Sequence, residues 1–248
     1  MRVIYILWLR QLKKYFRSRS RIVGAIGQPL LFLLALGYGL GSIYREAGQG
    51  NYLQFLVPGI MAQTVLFSAM FFGAMIIFDR QFGFLKETLV APVSRFKIML
   101  GGALGGATTA VLQGSLVFLV SLLLGFRPVH WLGSLLALVF MGILALAITS
   151  FSSGIGTFVE DMQGFQAINQ FIVFPLYFLS GALYPLTHVP SWLRIIAEFN
   201  PISYTVDALR YAMLGTSRFS ITHDLIAMGI TLAVMMVFAA IRFRHIET

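Results

Sequence analysis

The stretch RQFGFLKETLVAPVSRFKIMLGG, residues 80–102, decides how this chain is read. It is a short charged and amphipathic insert lying between two long apolar runs. Phe82, Phe84, Leu85, Leu89 and Val90 can share one helical face, with Arg80, Lys86 and Glu87 around the remainder. Pro92 ends the helix, because proline disfavours the helical region for the residue before it. Arg95 and Lys97 then anchor the return of the chain into apolar surroundings. Gly101, Gly102, Gly105 and Gly106 make two overlapping G-x-x-x-G spacings at the start of the next run, a pattern suited to close helix contact. A half-apolar helix between two apolar runs is built to sit in a groove on a partner and to move both runs together. On pattern alone, an ordinary interfacial loop fits the same residues.

The composition sets the class. Of 248 residues, 58% are hydrophobic and 11% charged, against about 25% charged in a soluble domain. The apolar runs are continuous rather than alternating, so they read as membrane-spanning helices and not as strands of a barrel. Six spans are expected, at 22–44, 53–78, 98–124, 131–157, 164–187 and 224–241. The run 22–44 is too long for a signal-peptide core and opens a series of further spans. With no cysteine, disulfides and thiolate metal sites are excluded.

The net charge of +9 would suit nucleic acid, but its distribution argues against that partner. With six spans, thirteen Lys and Arg residues fall on one side, in 1–21, 79–97 and the tail, and five on the other. The positive-inside rule places both termini in the cytoplasm. The connection at 158–163, with Glu160 and Asp161 and no basic residue, is a local departure. Residues 1–17 carry Val3, Ile4, Leu7, Trp8, Gln11, Leu12, Tyr15 and Phe16 on one side, largely opposite Arg10, Lys13, Lys14 and Arg17. This predicts an amphipathic helix in the interface, facing anionic membrane lipid. Beyond span five, Pro190 starts a short helical piece, Asn200-Pro201 breaks it, and a second piece runs from Ser203 to Leu214. Ser203 is the expected N-cap, and Asp207 and Arg210 can pair at i, i+3. Neither piece can span, so the segment 188–223 reads as an external re-entrant pair.

What the spans lack is as informative. Their cores hold no Asp, Glu, Lys, Arg or His, which disfavours ion-coupled transport and voltage sensing. No H-E-x-x-H and no G-x-x-x-x-G-K-[ST] occurs, so zincin-type and nucleotide sites have no motif here. Ser150, Ser152 and Ser153 resemble a serine-nucleophile turn only superficially, and small residues of this kind help helices pack. The chain therefore reads as a transport body without an engine, and not as an enzyme. A membrane scaffold without flux is the rival of a different class.

The run from Phe84 to Arg95, FLKETLVAPVSR, resembles the signature of ABC-2 type transporter membrane subunits. The run PLYFLSGALYP at 175–185, then VPSWL at 189–193, NPISY at 200–204 and DALR at 207–210, is similar to the second half of that family. The daunorubicin-exporter and YadH-like permeases are the members it resembles most. The likeness covers essentially the whole chain, as a single transmembrane domain over 1–248.

The resemblance implies a homodimer of six-span subunits in the cell (inner or plasma) membrane, each bound to a separate ABC-type ATPase, two copies in all. No cofactor is expected in this chain, with ATP and Mg on the ATPase. It implies export of lipidic, glycolipid or hydrophobic drug-like molecules, multidrug export among them, with polysaccharide export as the alternative. The implied ATPase-coupling residues are Phe82, Phe84, Leu85, Glu87, Pro92 and Arg95. The candidate route is lined by Phe67, Phe71, Phe171, Phe174, Tyr177 and Phe178, although aromatic residues at helical spacing also serve packing. Pro175 is expected to kink span five. Gln28, Gln63, Gln113, Gln166, Asn169 and Gln170 are expected to bond between helices, with substrate contact as the lesser reading.

Overall fold

The structure is a computed structural model that describes residues 2–46, 50–84, 93–187 and 189–244. Among the described residues every regular element is a helix. In chain order these are α1 (Arg2–Arg17), α2 (Arg19–Gly39), α3 (Gly41–Glu46), α4 (Tyr52–Gln81), α5 (Arg95–Leu123) and α6 (Trp131–Gly156). Then come α7 (Met162–Ile168), a π-helical turn (Asn169–Val173), α8 (Phe174–Phe178), α9 (Ser191–Phe199), α10 (Pro201–Leu214) and α11 (Ile221–Arg244).

Five helices, α2, α4, α5, α6 and α11, are long and apolar enough to cross a membrane. The first expected span breaks at Leu40, between α2 and α3. The expected span at 164–187 differs more. Its helix runs only from Met162 to Phe178, about 26 Å at 1.5 Å per residue, against about 30 Å of hydrocarbon. The expected kink at Pro175 takes a definite form: Phe174 N–H donates to Asn169 O, five residues back, so a π turn precedes the proline. A π bulge is a common way for a helix to absorb such a disturbance.

The helix α4 is the centre. It packs on α2, α5, α6 and α10 and buries residues around its whole circumference, as expected of a helix that is apolar all round. Its start is capped by the Asn51 side chain, which accepts from Leu53 N–H. The outer helices α2 and α11 leave Val23, Leu31, Tyr38, Ile226, Ile230 and Val234 exposed, the pattern of helices turned toward lipid.

Close approach of backbones is what makes the bundle compact. Gly101 and Gly105 on α5 receive α1: a Cβ at Gly105 would stand 2.6 Å from Gln11 Cβ, and one at Gly101 would stand 3.0 Å from Leu7 Cβ. Gly102 and Gly106, on the next face, accept Phe72 of α4. The two glycine spacings thus serve two neighbours, as the sequence pattern predicts. Ser152 joins α6 to α4, donating to Met70 O at 2.5 Å and accepting from Gly73 N–H at 2.7 Å. Ser150 and Ser153 bond to carbonyls of their own helix, so the serine run serves packing.

Candidate functional site

A cleft of about 330 Å³ opens between α2, α4 and α5. From α4 it is lined by Gln63, Thr64, Phe67, Ser68 and Phe71, which recur on one helical face. Gly24, Gln28 and Pro29 come from α2, and Gln113 from α5. Among the described residues, no ionisable side chain lines it. Its volume lies at the lower end of the range for small-molecule sites.

The six expected route aromatics divide. Phe67, Phe174, Tyr177 and Phe178 form one cluster, with Phe67 and Phe174 centroids 4.7 Å apart, Phe174 and Phe178 stacked at 5.9 Å and Tyr177 edge-on to Phe178 at 5.5 Å. Phe67 is common to this cluster and to the cleft wall. Phe71 lines the cleft and is 46% exposed. Phe171 stands apart on the surface, 79% exposed. Tyr177 is fully buried, so its ring packs rather than lines an open path.

The polar positions depart from the expectation of interhelical bonding. Gln63 is 2% exposed, and among the described residues neither its Oε1 nor its Nε2 has a hydrogen-bond partner. Ser68 Oγ is likewise buried and unpartnered. Gln28, Gln166 and Gln170 are exposed.

At the end of the bundle that gathers α1, the end of α4, the start of α5 and the end of α11, polar contacts join the helices. Arg10 pairs with Asp79 at 3.3 Å. Trp8 Nε1 donates to Thr108 Oγ1 at 3.0 Å. Arg80 donates to Thr157 O at 3.1 Å and Val159 O at 2.7 Å, and Gln81 to Glu160 O. Arg95 donates to Arg244 O at 2.9 Å. Asp161 caps α7 by accepting from Gly164 N–H. The first flank of the insert is therefore tied to the connection after α6, and the second to the end of α11. Of the expected coupling residues, Phe82 and Phe84 are exposed, Arg95 is placed as above, and Leu85, Glu87 and Pro92 lie outside the described residues. Ile6, Leu9, Lys13, Lys14, Arg17 and Phe84 border an open basic recess beside them.

At the opposite end, Asn200 rather than Ser203 caps α10, accepting from Ile202 N–H with Pro201 as the first helical residue. Asn200 sits lower because proline fixes the start of the helix one residue on. Asp207 and Arg210 do not pair. Asp207 accepts from Arg218 N–H and Phe219 N–H, which folds the following loop back on α10. Arg210 donates to Gly181 O and Ala182 O and lies 3.8 Å over the Phe55 ring. Burial lowers its pKa to about 10, partly offset by Asp207, and the side chain remains cationic at neutral pH. The helix α10 is itself mostly buried against α4, α6 and α11, so this half-length helix enters the bundle.

Sequence reasoning missed the ties made by Ser152, Arg80 and Arg210. Each is a polar side chain bonding a distant backbone carbonyl, and nothing in local spacing marks such a partner.

Comparison with known proteins agrees with this architecture. The model of the family described as ABC-2 type transporter matches residues 2–214. The ycf38 transport permease of Cyanophora paradoxa is 29% identical over 253 residues, covering 97% of this chain and 86% of that one. Nodulation protein J of Rhizobium leguminosarum bv. viciae is 30% identical, covering 85% of this chain and 79% of that protein. The inner membrane transport permease YadH of Escherichia coli is 29% identical, covering 84% and 82%. The chain belongs to the ABC-2 type transporter family.

Proposed function

We propose that the chain is the permease subunit of an ATP-driven exporter in the cell membrane, working as a homodimer with two copies of a separate ABC-type ATPase. Both termini and the 79–97 segment face the cytoplasm, and 188–223 faces outward. The substrate is hydrophobic, lipidic or drug-like. The observation that carries this reading is the ligand-sized cleft on α4, lined among the described residues by uncharged side chains, on the same helix whose far end meets the insert. The names of the relatives, which are transport permeases, support it.

In this mechanism the chain performs no chemistry. Closure of the ATPase pair pushes on the 80–95 segment and on α1. Arg80 passes the push to the 157–159 turn and Arg95 passes it to the end of α11. The tight seat of α1 on Gly101 and Gly105 carries α5 along. Motion of α4 and α5 relative to α2 then changes the width of the cleft, which lies between them. The amide and hydroxyl groups in the cleft favour, as a second reading, a glycolipid or polysaccharide substrate on the same fold.

The test is uncoupling. Phe84→Ala and Glu87→Gln should preserve ATP hydrolysis by the complex and lower transport about tenfold or more, since a lost coupling contact of about 1.4 kcal/mol is a factor of ten. Transport equal to that of the unmodified protein would overturn the assignment of the coupling segment.

A further inference from the structure

The interior of the cleft contains a demand for hydrogen bonds that the protein does not meet. Gln63 has two N–H donors and a carbonyl oxygen, is 2% exposed, lines the cleft, and bonds to nothing among the described residues. Ser68 Oγ, five residues further along α4 and also on the cleft wall, is likewise buried and has no partner among the described residues. Leaving a buried polar group unsatisfied costs roughly 1–3 kcal/mol, and a membrane-depth helix offers no bulk water to relieve it. Two such groups on one face of a cleft of about 330 Å³ mark a place prepared for a polar guest or for the water it displaces.

The charge of that guest follows from the walls. Among the described residues, Gly24, Gln28, Pro29, Gln63, Thr64, Phe67, Ser68, Phe71 and Gln113 line it and include no cation and no anion. A charged head group there would be desolvated without a counter-charge, at several kcal/mol. Neutral hydrogen-bonding groups face no such penalty, because a carboxamide serves as donor and acceptor at once. Phe67 and Phe71, one and two turns along α4 from Gln63, supply flat apolar faces on the same wall, and Phe71 is half exposed. An apolar portion of the guest can therefore extend outward while its polar portion meets Gln63.

We infer that the α2–α4–α5 cleft is a subsite for the uncharged, hydrogen-bonding head of an amphiphilic substrate, with Gln63 as its specificity-determining residue. This rests on the reading of the cleft as part of the transport route, and it narrows the substrate: neutral heads enter, anionic and cationic heads of equal tail length do not.

The probe is octyl β-D-glucoside carrying a photoreactive diazirine in its tail, used below its micellar concentration on the full chain in nanodiscs of neutral lipid. Labelled peptides are located by mass spectrometry, with unlabelled octyl glucoside, octyl phosphate or octylammonium as competitor. The expected result is labelling concentrated on residues 24–29 and 60–71, competed at least fivefold better by octyl glucoside than by either charged amphiphile. Gln63→Leu, which keeps the size and suits a buried helix, should lower that labelling at least fivefold, while Gln166→Leu, outside the cleft, leaves it unchanged. Labelling spread evenly over lipid-facing helices, equal competition by the charged amphiphiles, or no effect of Gln63→Leu would each overturn the subsite. Transport by the chain with its ATPase is read separately. Selective labelling with no effect of Gln63→Leu on transport retains the subsite and rejects the route. Transport impaired without selective labelling rejects the subsite and retains the route.

Discussion

Asp224 shows how far a single residue can stand from what its neighbours in sequence suggest. It occupies the first turn of α11, is fully buried, and neither carboxylate oxygen has a hydrogen-bond partner among the described residues. A buried acid without a partner weakens a fold. Asp224→Asn is therefore expected to hold or raise the thermal midpoint of the detergent-solubilised protein, and a fall of several degrees would mean that the charge supports the structure. Arg210 is the contrasting case, since its guanidinium holds two carbonyls of the 181–182 turn and covers Phe55. Arg210→Ala should destabilise by about 2 kcal/mol, within the range for a hydrogen bond to a charged group, seen as a lower midpoint in the same assay. Ser152→Ala removes the bridge between α6 and α4 and should cost about 1 kcal/mol. Sequence could nominate Gln63, Asp207 and Arg210 as polar residues of note. It could not assign their partners, because those lie in the loop after α10 for Asp207 and in the 181–182 turn for Arg210, and for Gln63 there is none among the described residues.

At the scale of elements, the glycine faces of α5 make the sharpest prediction. A side chain at Gly105 meets Gln11 Cβ and Cγ at 2.6 and 2.8 Å, whereas one at Gly142 meets nothing within 4 Å. Gly105→Leu should detach α1, at about 1–3 kcal/mol of overpacking, and speed tryptic cleavage at Lys13 and Lys14 several-fold. Gly142→Leu should leave the cleavage rate unchanged. Comparable rates in both variants would contradict the seating of α1 on α5. This seat was legible in sequence as a G-x-x-x-G pattern, although its partner was not. The long apolar runs were legible as α2, α4, α5, α6 and α11 for the plain reason that about 20 apolar residues leave the backbone no alternative to a helix. The segment at 164–187 was read too long. Its apolar residues continue past Phe178, but Gly181 takes φ of 74° and the chain turns there, with Tyr52 donating to Leu183 O and Arg210 to Gly181 O. Tertiary anchoring of a turn leaves no periodic trace.

For the whole molecule, the account needs a sidedness and an engine. Because the chain has no cysteine, single cysteines report sidedness without background. In right-side-out vesicles, Ser217→Cys, on the exposed loop after α10, should react at once with a membrane-impermeant maleimide, and Phe82→Cys only after permeabilisation. The reverse pattern would invert the proposed orientation. The engine is the central claim, that this chain carries a route and receives its force from a separate ATPase. Its most direct test is affinity purification from native membranes in mild detergent, with mass spectrometry of the particle and an ATP hydrolysis assay. The account predicts an ABC-type ATPase in equal stoichiometry with this chain and measurable hydrolysis. A stable particle with no ATPase and no hydrolysis would contradict it.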